Sequence, residues 1–241
     1  MITPVVLVCN DEYWLPYALE ASKGFFDRYV IYDVGSTDRT REIIQWFMDT
    51  AKAQFYVRML PMVPPAAQGA FRNSMIAEAL NDWYFILDGD EVYTPEGYEA
   101  LVRSAQDMRH QSAPIYGVVE RVEVGGTLDK RYISKARVPH HRVYHRHAIW
   151  TGSHPGEVPF FKQTAERERW IEGAICYHFH NCERSSKDAE VPKRLERRGR
   201  PTYRPGELVP FDLFETLPIM KMPIESFAVC LRLAELQSGA V

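Results

Sequence analysis

Across residues 5–91, short apolar runs alternate with amphipathic segments, and this alternation constrains the fold more than any other feature of the chain. The runs at 5–9, 28–34, 55–60 and 83–87 have the apolar, β-branched or aromatic character of buried strands. Between them, 13–22, 42–51 and 68–81 carry apolar residues at helical spacing. Examples are Trp14, Leu15, Ala18 and Leu19 in the first, and Phe71, Met75, Ile76 and Leu80 in the third. Ser36, Thr37 and Asp38, all N-cap types, precede the second. A β-α-β-α-β-α-β order predicts an α/β fold with a mostly parallel central sheet flanked by helices. Such sheets bind ligands beyond the C-terminal ends of their strands.

Three polar clusters fall at those ends: Asn10-Asp11-Glu12, Asp33-Val34-Gly35-Ser36 and Asp88-Gly89-Asp90. The third follows the run Trp83 to Leu87, and Glu91 adds another acid directly after it. Clustered carboxylates at the end of a buried strand are costly without a cation beside them. They suit a hard divalent ion, which takes one or two carboxylates plus phosphate oxygens. The competing reading is an acidic turn, since Asp-Gly is a common turn dipeptide. Convergence of three clusters on one edge favours a site in which Asp88 and Asp90 hold Mg²⁺ or Mn²⁺ with a diphosphate.

After the acids, Thr94-Pro95 suits a cap and first helical position, predicting a helix to about residue 109. Residues 115–124 and 128–134 read as strands joined through Gly125-Gly126. Further strands are predicted at 142–147, 148–151 and 170–179, and a charged helix at 185–198. Seven of the 8 histidines lie between His140 and His180. His178 and His180 share one face of a strand, and one of them is a candidate third ligand of a metal at Asp90. His140, His141, His145 and His147 read as partly exposed sheet residues. His154 and Glu157 share a glycine-rich loop, and Glu157 is a candidate base for an acceptor hydroxyl. Lys187, Lys193, Arg194, Arg197, Arg198, Arg200 and Arg204 form a basic run interleaved with Glu190 and Glu196, mostly the pattern of a solvated helix face.

The totals exclude several classes. The chain has 241 residues, 46% hydrophobic and 25% charged, as a globular protein does. A net charge of -3 gives no basic field for nucleic acid. No apolar run is long enough for a membrane span, and the N-terminus lacks a basic leader. The expected location is cytoplasmic, with peripheral contact at the inner membrane face compatible with the basic run. The four cysteines lack metal-ligand spacing and are expected reduced. Three regions are expected: 1–110 binding the donor, 111–204 facing the acceptor, and 205–241 as a C-terminal helical extension.

In order along the chain, these pieces resemble the nucleotide-sugar glycosyltransferases of the GT-A (Rossmann-like) fold, especially the inverting family 2 and related bacterial lipopolysaccharide-type enzymes. Val5 to Glu12 is similar to that family's first strand and Asn-x-Glu loop. Asp33 to Thr40 resembles its Asp-x-Gly-Ser-Thr-Asp-Gly-Thr signature, except that Val34 stands where many members carry a second acid. Phe71-Arg72-Asn73 is similar to an Ala-Arg-Asn segment, and Asp88 to Glu91 to the Asp-x-Asp-Glu motif. Tyr177-His178-Phe179 with Ser185 and Lys193 is similar to a His-Tyr…Ser…Lys pattern, and Arg142-Val143-Tyr144 followed by Trp150 to Glu157 resembles a segment ending in a His-Glu pair, which Pro155 and Gly156 separate here.

The resemblance implies a smaller acceptor-side sheet and C-terminal helices. It also implies transfer of a glycosyl group, with inversion, from a nucleoside-diphosphate sugar of the UDP type to a carbohydrate or glycolipid hydroxyl. By the same implication Asn10, Glu12, Asp33, Gly35, Ser36, Arg72 and Asp88 hold the donor. Asp88, Asp90 and His178 hold Mn²⁺ or Mg²⁺, and the base is Glu157, His154 or Glu91. Two other readings compete. A nucleotidyltransferase usually has a glycine-rich basic loop where this chain has Asn10-Asp11-Glu12. A non-catalytic nucleotide-sugar-binding module does not need Asp88 and Asp90 intact.

Overall fold

The computed structural model describes residues 1–109, 115–125, 128–133, 136–152, 158–160, 167–191 and 207–223. His154, Glu157 and most of the basic run lie outside the described residues, as does the amphipathic segment 224–237.

The alternation predicted for the first half is present. Strands β1 (Ile2–Val8), β2 (Arg28–Val34), β3 (Gln54–Leu60) and β4 (Trp83–Ile86) alternate with helices α1 (Leu15–Ser22), α2 (Thr40–Thr50) and α3 (Gln68–Glu78). Then follow β5 (Glu91–Tyr93), α4 (Pro95–Met108), β6 (Ile115–Glu123), β7 (Lys130–Ile133) and β8 (Pro139–His145). The remaining strands are β9 (Ile149–Thr151), β10 (Val158–Phe160), β11 (Arg167–His178) and β12 (Glu207–Pro210). Eight of these strands form one sheet in the order β3-β2-β1-β4-β8-β6-β11-β5. The β3/β2, β2/β1, β1/β4 and β6/β11 pairings are parallel. The β4/β8, β8/β6 and β11/β5 pairings are antiparallel. Two ladders, β9/β10 and β7/β12, stand apart from this sheet.

Period-two alternation divides the core between the two faces. Tyr29, Ile31 and Phe85 turn to a cluster with Leu15, Leu19, Ile44, Phe47, Tyr98 and Leu101, from α1, α2 and α4. Val30, Tyr32, Tyr84 and Ile86 turn to the other face, against Met75, Ile76 and Trp150. Burying a side chain such as Phe85, which has no exposed surface, contributes roughly 2–3 kcal/mol. Thr94 caps α4 by accepting from the Gly97 amide at 3.2 Å, with Pro95 at the first helical position.

Two expectations are corrected. From 185 to 191 there is no α-helix, only a 3₁₀ turn at Asp188–Glu190, and 192–198 lie outside the described residues. The start of this segment binds the N-terminal loops instead: Ser185 Oγ donates to Asp38 Oδ2 at 2.5 Å, and the Ser186 backbone amide to Glu12 Oε1 at 2.7 Å. The β6–β7 hairpin reduces to the Gly125 N to Lys130 O bond and one bridge, Val124 to Arg131. The ladder of β7 is with β12.

The parallel strands β1, β2 and β4 end on the same edge, so loops 9–12, 35–39 and 87–90 meet there. Strand β8 lies beside β4 and β11 beside β6, so the second half of the chain delivers its own side chains to that edge. Among the described residues no helix is long and apolar enough to cross a membrane.

Candidate active site

The loops after β1 and β2 build each other. Asn10 is buried with φ 54°, a conformation Asn tolerates better than most residues. Its amide donates to Ser36 Oγ at 2.8 Å, and its Oδ1 accepts from the Thr37 amide at 2.7 Å. Asp33 is fully buried, and its Oδ1 accepts from the amides of Gly35 and Ser36 and from Arg41 Nε at 2.8 Å. Gly35 has φ 100°, and a Cβ there would lie 2.4 Å from the Met62 Cα. Glu12 accepts from the Ser186 and Arg39 amides. Burial opposes its charge, but hydrogen bonds from Ser186, Arg39 and Ser185 together outweigh this and lower its pKa.

At the end of β4 the acids divide by environment. The Asp88 side chain is 24% exposed and pairs with Arg142 Nη2 at 2.9 Å and Arg72 Nη2 at 3.5 Å. Burial resists its ionisation, and Arg142 and Arg72 more than offset that, lowering its pKa. Arg72 lies over the Trp150 ring at 5.2 Å. Asp90 is buried, with Arg184 Nη1 2.7 Å and His178 Nε2 3.5 Å from its Oδ2. Burial works to raise the Asp90 pKa, but Arg184 and then His178 hold it well below the usual carboxylate range. His178 Nδ1 lies 3.0 Å from Glu123 Oε1. Burial lowers the His178 pKa, yet Glu123 and Asp90 overcome it and raise it to about 10.

Glu91 has no exposed surface. Its Oε1 meets His140 Nε2 at 2.7 Å and also pairs with Arg142 Nη2. Burial, only partly countered by Arg142, raises the Glu91 pKa to about 7. Burial and then Arg142 hold His140 well below its ordinary value, so its bond to Glu91 is that of a neutral imidazole. Glu91 is therefore enclosed, unlike an acid that meets an acceptor hydroxyl.

Among the described residues two groups bring possible metal-ligand atoms together, and one of them lies at Asp90. Ligand atoms of Asp90, His178 and His180 lie within 4.8 Å of one another, as the sequence spacing suggested for these histidines. Asp90 Oδ2 is buried and makes no aligned hydrogen bond, despite its ion pair with Arg184. Glu91, His140 and Cys176 also group their ligand atoms, and there Arg142 pairs with Glu91 as Arg184 pairs with Asp90.

Several site residues were not assigned from sequence. His140, read as a partly exposed sheet residue, is bonded to Glu91. Arg142 bridges Asp88 and Glu91 from β8, two positions along the same face as His140. That spacing was the available signal. Glu123 ends β6 beside His178. Arg184, six residues after His178, spans Asp11 and Asp90, and nothing local in the sequence marks it.

The sheet order, with acids at the ends of parallel strands and a second set of strands inserted beside them, defines the class: a GT-A-type α/β fold. A family model described as Glycosyl transferase family 2 matches residues 4–170, and the chain belongs to that family. The fold is also that of Staphylococcus aureus TarS 1–349, at 14% identity and TM-score 0.52, covering 75% of this chain and 61% of that one. A TarS 1–349 structure in complex with UDP-GlcNAc gives 14% identity and TM-score 0.51, covering 77% and 60%. The chain thus spans about three fifths of the length of these structures. No curated protein matches it.

Proposed function

We propose that the chain transfers a glycosyl group, hexosyl or related, from a nucleoside-diphosphate sugar to an acceptor hydroxyl with inversion, in polysaccharide, lipopolysaccharide or glycoconjugate synthesis. One observation carries this reading: in a family 2 chain, the partly exposed Asp88 and the buried Asp90 stand where loops 9–12 and 35–39 converge. UDP-GlcNAc is bound by the fold neighbour TarS, so a uridine-type donor is the first to test.

In this reading Asp33, Gly35 and Ser36 form the floor for base and ribose. Asn10 and Glu12 hold that floor in shape. Asp88 is the exposed carboxylate that meets the donor, with Arg72 beside it. Asp90, His178 and His180 would hold Mn²⁺ or Mg²⁺. A divalent ion there supplies charge neutralisation for a departing nucleoside diphosphate. Glu157 or His154 takes the proton from the acceptor hydroxyl, whose oxygen bonds to the anomeric carbon as the bond to the diphosphate breaks. Glu91 anchors Arg142 and His140 and is not assigned the role of base.

The test is calorimetric titration of UDP, GDP, CDP and dTDP with and without Mn²⁺. One nucleotide is expected to bind in a metal-dependent way, and Asp90→Ala is expected to abolish that dependence. Absence of binding by all four in both conditions would overturn the reading.

A further inference from the structure

The cation position at Asp90 already has an occupant from the chain itself. Arg184 places Nη1 2.7 Å from Asp90 Oδ2, while its Nε donates to Asp11 Oδ1 at 2.7 Å and its Nη2 lies 2.5 Å from the same oxygen. The side chain is 15% exposed and both carboxylates are buried, so this is an enclosed pair and not a surface contact.

We propose that Arg184 is an exchangeable counter-cation. It holds Asp90 while the donor is absent, then moves to the diphosphate as a divalent ion takes its place, so that metal and donor bind as a coupled pair. This rests on the donor reading given above.

Three features carry the inference. First, a divalent ion bonded to Asp90 Oδ2 would lie about 2 Å from that oxygen. Arg184 Nη1 is 2.7 Å from it, so the two like charges would stand within about 5 Å in a buried setting, and their repulsion disfavours joint occupancy of the oxygen. Second, Arg184 meets Asp90 Oδ2 as an ion pair, whereas it holds Asp11 through both an ion pair and a hydrogen bond, so the Asp90 contact is the easier one to give up. The Nε bond to Asp11 is well formed and can persist as a pivot. Third, the Arg184 backbone is pinned. Its carbonyl accepts from the Tyr13 amide at 3.1 Å and its amide donates to Asp188 Oδ2 at 3.2 Å. The neighbouring Glu183 carbonyl accepts from Trp14 Nε1 at 2.7 Å. Exchange is therefore a side-chain movement that needs no loop opening. A planar guanidinium leaving a carboxylate suits diphosphate oxygens, which it can engage through two parallel donors.

Arg184 is thus a positioning residue that links two binding events, and the linkage is reciprocal. The experiment measures Mn²⁺ binding by calorimetry to EDTA-treated protein, alone and with saturating UDP. In the wild type Mn²⁺ alone is expected to bind weakly, and UDP to tighten it by about 5–150-fold. In Arg184→Ala, Mn²⁺ alone is expected to bind at least about fivefold tighter, with most of the UDP-induced gain lost. Arg184→Lys keeps the charge but cannot span both carboxylates. It is expected to change in the same direction, and it carries the test if the alanine variant does not fold. Equal Mn²⁺ affinity in wild type and variants, measured without nucleotide, overturns the proposal. Failure of the donor reading would look different: no nucleotide would bind the wild type, and the nucleotide-free comparison would still stand.

Discussion

Gly35 is the residue at which backbone conformation and packing both forbid a side chain. Its φ of 100° lies in the region L-residues avoid, and a Cβ would overlap the Met62 backbone. Gly24, at φ 87° with nothing within 4 Å, meets only the first constraint. Gly24→Ala should cost about 1 kcal/mol from strain alone. Gly35→Ala should cost about 3 kcal/mol or more, strain and overpacking together, and weaken nucleotide binding. Urea unfolding of both variants decides this, and equal losses would contradict it. The sequence showed that a glycine stood in this loop but not what it faces, because Met62 arrives from another strand end. The same division holds across the site. Asp88 and Asp90 could be read locally, from an apolar run ending in acids. Arg142, Glu123 and Arg184 could not, because their partners lie 51 or more residues away and are chosen by strand pairing.

At the scale of elements, the Asn73 side chain hydrogen-bonds helix α3 to strand β9. Asn73 Oδ1 accepts from the Trp150 amide at 2.7 Å, and Nδ2 donates to the Trp150 carbonyl at 3.0 Å. The Trp150 indole then donates to Tyr84 OH at 2.8 Å and lies beneath Arg72. Asn73→Ala leaves both backbone groups without that partner. It should cost about 1–3 kcal/mol and speed amide exchange at Trp150. Ser74→Ala, one position along on the exposed face, should stay within about 0.5 kcal/mol. Unaltered exchange at Trp150 in the Asn73 variant would refute the tie. Elements of the first half were legible because each strand and helix carries its own periodicity, and their ends agree with the structure to within a few residues. The predicted helix after Ser185 failed for a physical reason. The Ser185 hydroxyl and the Ser186 amide bond Asp38 and Glu12 in loops far off in sequence, and Asp188 accepts locally from the Arg184 amide, so these groups compete with helical hydrogen bonding. The antiparallel insertion of β8 beside β4 was equally hidden, since a strand's pattern does not name its neighbour.

Over the whole molecule, the buried charges set how stability depends on pH. Asp88, Asp90 and Glu123 all have lowered pKa values. Their stabilisation is present above the ordinary carboxylate values and is lost as pH falls toward and below them. Glu91 acts in the opposite sense: raised from 4.5 to about 7, it makes folding less favourable as pH climbs through that interval. His178 continues the decline. Its pKa is raised from 6.5 to about 10, so its contribution is complete below 6.5 and disappears as pH rises through 10. The metal-free protein should therefore be most stable in mildly acidic solution and lose several kcal/mol between pH 6.5 and 10. Glu123 is the largest of the influences that raise the His178 pKa. Glu123→Gln should therefore move the alkaline decline to lower pH as well as reduce stability at neutrality. Urea midpoints across pH 4–10, in EDTA, measure both effects. If the alkaline decline kept its position in the variant, the Glu123–His178 pair would not be its source, and the charge balance around Asp90 would need another explanation.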